Sequence, residues 1–317
     1  MKKFILRFFK DCEVVKYTLK LSCGLCFFSL LTQSLCAEDT ALSMLEEAKI
    51  TGGIVVTIDL TDSDFISRFA VNDRFIVHGL SDDLKEISRV RKQIQAQNKY
   101  GQVSFNHYNG TELPYIDNLV NLLLCSQTTK VTQQELLRVV APGGAVMLKN
   151  STGWETIVKP RPKGMDEWNQ HLYNADNTGA SFDTTGPPQR MRWHNTPDFG
   201  RSKSIMPSVT SMVSANGILF TIEDRATTED INTPQKYYLI ARDAFNGIEL
   251  WQKFLPDWKN LGRNSIKSMK TEVQRLLAAV GENAYSALGH DKGIAEIGGK
   301  TGGIIQVYKD TEKTKEF

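Results

Sequence analysis

Beyond residue 37 the chain has one cysteine, Cys125. No intramolecular disulfide is open to that region, so buried apolar surface and hydrogen bonds must hold it together. Cys125 sits in an apolar strand-like run and reads as a small buried hydrophobe rather than a reactive thiol. Charge of one sign is also lacking. The formal net charge is +2, but residues 1–37 hold six basic and two acidic residues, and without them 32 Lys and Arg face 34 Asp and Glu, a balance of −2. Such a surface gives no footprint for nucleic acid or an anionic membrane. Low-complexity tracts are absent. The apolar run Leu21–Leu31 has 11 residues, too few to cross a bilayer as a helix.

That short run has another use. Lys2, Lys3, Arg7, Lys10, Lys16 and Lys20 precede it, and "TQSLCA" before the acidic "EDT" follows. Basic residues, then an apolar core, then small residues is the order of an export signal. The expectation is a signal peptide over 1–37, cleavage after Ala37, and a periplasmic or extracellular product. Two alternatives are an uncleaved signal acting as a membrane anchor and a lipoprotein site at Cys36, which Leu35 fits poorly.

Residues 39–160 alternate in the α/β manner. A helix is expected over about 40–49, then a strand over 54–58 and a second strand over 74–80. The run "DDLKEISRVRKQIQAQNKYG" reads as a helix with an Asp83/Glu86 capping box, an apolar stripe of Leu84, Ile87, Val90 and Ile94, and Gly101 as its stop. "VSFNHY" and "NLVNLLLC" are two more strands, the second buried on both faces, with Leu119, Val120, Leu122 and Leu123 in the core. "TQQELLRVVAPGG" is a helix with a Thr132/Glu135 capping box, ended by Pro142, Gly143 and Gly144, and a strand pair closes the region. Strands separated by helices imply a mainly parallel sheet.

After "KPRPKG" helical patterns nearly vanish. Short strands, glycine-containing turns and aromatics take over: "GILFTI", "KYYLIARD", "GIELWQKF", "NAYSAL", "GGIIQVY". Aligned on Gly247 and Gly302, two such units recur after 55 residues. Repeated short strands of this kind point to propeller blades.

Two resemblances follow. Glu135, Arg138, Val139, Pro142, Gly143 and Gly144, with Leu113, Pro114 and Asp117 upstream, make residues 45–155 resemble the class I S-adenosylmethionine-dependent methyltransferases. The resemblance implies a Rossmann-like fold, and it places the cofactor's glycine-rich loop on Asp59, Thr61 and Ser63. It also places the ribose-binding acid on Ser81 and the adenine-binding acid on Asn109. Three expected glycines are therefore absent, and each replacement adds a Cβ where close approach is needed. Ser81 cannot accept two hydrogen bonds as a carboxylate does. Asp82, one residue late, is expected to open the helix. The second resemblance is to pyrroloquinoline-quinone-type propellers. Trp168, Ala175, Asn177, Thr178, Gly179 and Trp193 look like their opening strand, and Ala241, Asp243, Gly247 and Trp251 match the docking repeat A-x-D-x-x-x-G-x-x-x-W. It implies that Asp243 and Asn246 shape a hairpin turn, that Gly247 supplies positive φ, and that Trp251 plugs between blades. The second copy carries Gly298 and Gln306 at the Asp and Trp positions.

The expected organisation is a signal over 1–37, a methyltransferase-like α/β domain over 38–158, a stiff basic linker over 159–165, and incomplete all-β propeller-type blades over 166–317. His171, His194 and His290 share no metal-ligand spacing. Asp59, Asp62 and Asp64 alternate without the bidentate Glu of a calcium loop. Asp166 and Glu167 read as charges at a helix start. The expected function is an exported binding or scaffold protein that does not use S-adenosylmethionine, with the five positions above as vestiges of a cofactor site. No catalytic residue is assigned. One alternative is an active methyltransferase in which Asp59 or Asp62 takes over ribose contacts. Another is a fragment of a quinone-dependent oxidoreductase, with quinone bound only in an intact propeller. Further blades or another protein are the expected partners.

Overall fold

Six consecutive buried residues, Val120–Cys125, set the centre of the first sheet. The segment Val120–Ser126, VNLLLCS, is apolar enough to be covered on both faces, and all but Ser126 are buried. A computed structural model of the chain describes residues 40–184, 186, 191–195, 208–230, 233–256, 275–289, 292–312 and 314. The expected export signal and His290 lie outside these residues.

The α/β part runs through α1 (40–47), β1 (Gly53–Ile58), α2 (Ser63–Arg68), β2 (Phe75–Ser81), α3 (Leu84–Ala96), β3 (Val103–His107), β4 (Val120–Ser126), α4 (Gln133–Val139), β5 (Val140–Lys149) and β6 (Trp154–Val158). The strand order is β3-β2-β1-β4-β5-β6. All neighbours pair in parallel except β6, which runs antiparallel to β5. This is a mixed, mostly parallel, Rossmann-like sheet. One face packs Val55, Val77, Phe105, Leu122 and Leu124 beneath α1, α2 and α3. The other packs Val56, Leu80, Leu123 and Val146 against Leu136 and Val139 of α4.

Several local expectations are corrected. Leu84 is 66% exposed, and the buried stripe of α3 is Ile87, Val90 and Ile94. Leu84 is the first helical residue, before the stripe comes round to the sheet. Asp83 caps α3 by accepting from Lys85 N, while Glu86 turns to Arg89 at 2.6 Å, so the reciprocal half of the capping box does not form. The helix stops at Gln97, ahead of Gly101, because Asn98 takes the left-handed region at φ 55°. Pro142, Gly143 and Gly144 do not end α4. Val140 already has extended φ and ψ, and the three residues lie within β5, where the pairing with β4 shifts register. Gly143, at φ 83°, forms that irregularity. Leu119 is only half-buried, whereas Val120, Leu122 and Leu123 are fully buried.

The second part holds two four-stranded antiparallel sheets. One has β7 (Val209–Ala215), β8 (Ile218–Asp224), β9 (Tyr237–Asp243) and β10 (Glu249–Phe254). The other has β11 (Leu277–Val280), β12 (Asn283–Ala287), β13 (Ile294–Gly298) and β14 (Ile304–Val307). Their facing sides share one core that includes Phe220, Leu239, Ala241, Ala279, Ala295 and Ile297. The 55-residue repeat has a physical basis. Trp193 Nε1 donates to Ala244 O at 3.0 Å, and a Cβ on Gly247 would lie 2.5 Å from its ring. Trp251 Nε1 donates to Gly299 O at 2.6 Å, and a Cβ on Gly302 would lie 2.8 Å from that ring. Each indole lies on a positive-φ glycine turn and ties to the carbonyl three residues before that glycine. The expected opening strand at Trp168 reduces to two isolated bridges, Trp168 with Ser214 and Gln170 with Tyr173. Asp166 and Glu167 start no helix. Asp166 accepts from Tyr173 Oη and Phe182 N, and Glu167 pairs with Arg161 at 2.7 Å.

Candidate functional site

The C-terminal edge of the parallel sheet is where a Rossmann-like fold presents its binding loops. β1 leaves the sheet through Asp59, whose φ of 53° is the left-handed conformation that a glycine would adopt freely. The loop therefore keeps a glycine-like path while carrying a carboxylate. Asp59 Oδ2 accepts from Tyr108 Oη at 2.8 Å, which links the loop after β1 to the residue after β3. Burial, and then this carboxylate, raise the Tyr108 pKa above its ordinary value, so the phenol stays protonated and donates. Thr61 is half-buried, and its carbonyl accepts from Arg89 Nη2 at 2.9 Å. Ser63 is buried in the first turn of α2, which Asp62 caps through Asp64 N and Phe65 N.

The other two positions are engaged as well. Ser81 is 3% exposed, and its Oγ accepts from Asp83 N at 3.1 Å. Asn109 Oδ1 accepts from Thr111 N at 3.0 Å and Glu112 N at 2.8 Å, an Asx turn that occupies the atom expected to meet an adenine amino group. Asp82 does not open α3, as Asp83 does. It pairs with Lys130 at 3.1 Å, a second link across the edge. The cofactor-loop positions thus meet around one edge, four of them hydrogen-bonded within the protein and Ser63 buried. Sequence reasoning missed Tyr108 and Lys130. Tyr108 was findable as the first residue past β3, where side chains turn toward the loops. Cys125 ends the buried run of β4 nearby. Burial and then Asp59 push its thiol up to about 12, which keeps it an unreactive thiol at neutral pH.

The residues that carried the methyltransferase resemblance prove to be a clamp. Arg138 pairs with Glu135 at 2.7 Å and Asp117 at 2.6 Å and donates to Tyr115 O at 2.9 Å, while Glu135 accepts from Leu113 N at 2.8 Å. Together they tie the β3–β4 connection to α4. Arg138 holds the Glu135 carboxyl below its usual range.

The N-terminal edge of the sheet meets the antiparallel sheets. Asn121 of β4 donates from Nδ2 to Asp243 Oδ2 at 2.7 Å and accepts at Oδ1 from Asn246 Nδ2 at 2.7 Å and Ile54 N at 2.8 Å. Asp243 Oδ1 accepts from Phe245 N and Asn246 N, closing the hairpin turn with Gly247 at φ 77°. Burial raises the Asp243 pKa despite these donors. Arg74 Nη1 donates to Leu250 O at 3.3 Å, and Lys300 Nζ donates to Lys49 O at 3.1 Å. The expected linker is anchored here too, for Lys159 Nζ donates to Val140 O at 2.8 Å and to Asn118 Oδ1. In the first antiparallel sheet Arg242, 2% exposed, pairs with Glu223 at 2.8 Å, a buried ion pair that sequence pattern gave no sign of.

No family model and no curated protein matches the chain. Among solved structures it is similar in fold to a SAM-dependent methyltransferase from Aquifex aeolicus, with 15% identity, TM-score 0.30, 34% of this chain and 62% of that one. It is also similar to the [4+2]-cyclase SpnF, with 18% identity, TM-score 0.31, 35% of this chain and 43% of that one. YcgJ of Bacillus subtilis matches with 15% identity, TM-score 0.30, 35% of this chain and 49% of that one. The chain spans less than two thirds of each of these three structures. Scores at this level carry no argument about activity. The strand order and directions alone support the methyltransferase-like, Rossmann-type fold.

Proposed function

We propose that the chain is an exported binding or scaffold protein whose methyltransferase-like domain does not hold S-adenosylmethionine and serves as a base for propeller-type blades. The observation that carries this reading is the state of the five cofactor-loop positions. Asp59, Thr61, Ser81 and Asn109 are hydrogen-bonded within the protein, and Ser63 is buried in α2. The residues do not fit the cofactor. The ribose position offers one hydroxyl already accepting from the backbone, where a carboxylate would accept from both ribose hydroxyls. A lost charged hydrogen bond costs about 1.5–3 kcal/mol, roughly 10- to 150-fold in affinity. The order of charge and apolarity in residues 1–31 supports export, and the repeated indole-on-turn contact supports blades.

A second reading is favoured by one observation. Asp59 keeps φ at 53°, so the backbone of the loop still follows a path that glycine would take. An active methyltransferase would then use Asp59 or Asp62 for ribose contacts, after Tyr108 releases Asp59. Calorimetric titration of the full chain with S-adenosylmethionine separates the two. The first reading expects affinity weaker than about millimolar, and the second expects micromolar binding.

A further inference from the structure

We propose that the cleft between the N-terminal edge of the parallel sheet and the two blade turns is a binding site for a small anion, a phosphate or a carboxylate. The cleft has a volume of about 120 Å³ and is lined by Lys49, Arg161, Lys300, Gly144, Asn216 and Asp243, among others. It lies at the end of the sheet opposite the cofactor-loop positions and is independent of the reading given above.

Three cations meet there with few partners. Lys300 Nζ donates to Lys49 O, which fixes its ammonium beside Lys49 at one wall. Lys49 itself sits at φ 55°, just past α1. Neither lysine has an ion-pair partner among the described residues. Arg161 spends Nη1 on Glu167 Oε1 at 2.7 Å and Asn216 Oδ1 at 2.9 Å, and its Nε and Nη2 donate to nothing among the described residues. Cations on the walls of one cleft favour an anion bound between those walls. A guanidinium with free donors matches the two oxygens of a phosphate or carboxylate.

The acid on the lining, Asp243, is already hydrogen-bonded. Both Asp243 oxygens are taken, Oδ1 by Phe245 N and Asn246 N and Oδ2 by Asn121 Nδ2. A cleft of about 120 Å³ has room for a phosphate or a short carboxylate.

Isothermal titration of the full chain with inorganic phosphate, and separately with acetate, tests this at matched ionic strength. The expected result is saturable binding at one site, with the tighter of the two anions identifying the ligand class. The double variant Lys49→Gln/Lys300→Gln should bind at least about tenfold more weakly. Lys49 is exposed and Lys300 half-buried, and an unchanged circular dichroism spectrum confirms that this variant folds. Absence of saturable heat with either anion, or equal affinity in the double variant, overturns the proposal.

Discussion

At the C-terminal edge of the parallel sheet, Asp59, Thr61 and Ser63 carry side chains where the methyltransferase resemblance places glycine. At the N-terminal edge, Gly52 and Gly53 lie where no ligand loop was expected. A Cβ on Gly53 would sit 2.0 Å from Asn121 Oδ1, at a φ of 126°, and one on Gly52 would sit 2.9 Å from Leu250 Cδ2. Glycine is required where backbone must approach something closely. In this molecule the close approach is between the parallel sheet and a turn of a neighbouring antiparallel sheet. The loops at the other edge tolerate side chains that bond to one another. The difference teaches that the α/β part is fitted most tightly to its neighbouring sheets.

That contrast sets the order of expected effects. Gly53→Ala should be the most damaging, at about 4 kcal/mol, because it combines positive-φ strain with overpacking against a buried, hydrogen-bonded side chain. Chemical denaturation measures it, and a loss under about 1 kcal/mol would mean that the two parts are not locked there. Leu122→Ala, between the edges, serves as the reference core change. Leu122 is fully buried, so a cost of about 2–5 kcal/mol is expected from the same denaturation curves. Asn121→Ala removes a donor to buried Asp243 and the acceptor of Ile54 N, and should cost about 2–3 kcal/mol.

The pH dependence of the junction has a definite sign. Burial raises the Asp243 pKa from 3.8, so the folded state favours the protonated carboxyl. The contribution is fully present below the unfolded value and is lost as pH rises through the folded one. The stability of wild type relative to Asp243→Asn should therefore fall as pH is raised from about 3 toward neutrality. A flat difference would show that Asp243 titrates as in the unfolded chain. The smallest effect is expected at the other edge. Asp59→Gly relieves a left-handed residue, worth about 1 kcal/mol, and loses one hydrogen bond of similar size, so the denaturation midpoint should hardly move. A loss above about 2 kcal/mol would put the tight fit at this edge as well.

Much of the fold was legible in the sequence. The buried run of β4, the stripe of α3 from Ile87 to Ile94 and the 55-residue spacing of Gly247 and Gly302 are local patterns, and local patterns read well. The Pro142–Gly144 segment was misread because a bulge inside a strand and a turn after a helix share the same residues. Asp82 was misread because the cap fell one residue later and left its carboxylate to Lys130, 48 residues away. Asn121 and the Glu223–Arg242 pair were invisible for the same reason, since each acts through a partner distant in sequence. The positions of the cofactor loop were legible, but the bonds that occupy them were not.

The measurement closest to the central claim is calorimetric titration of the full chain with S-adenosylmethionine, alongside the quadruple variant Asp59→Gly, Thr61→Gly, Ser63→Gly, Ser81→Asp. The account predicts no saturable binding tighter than about millimolar for the natural chain and a measurable gain for the variant. Micromolar binding by the natural chain, with little change in the variant, would contradict it.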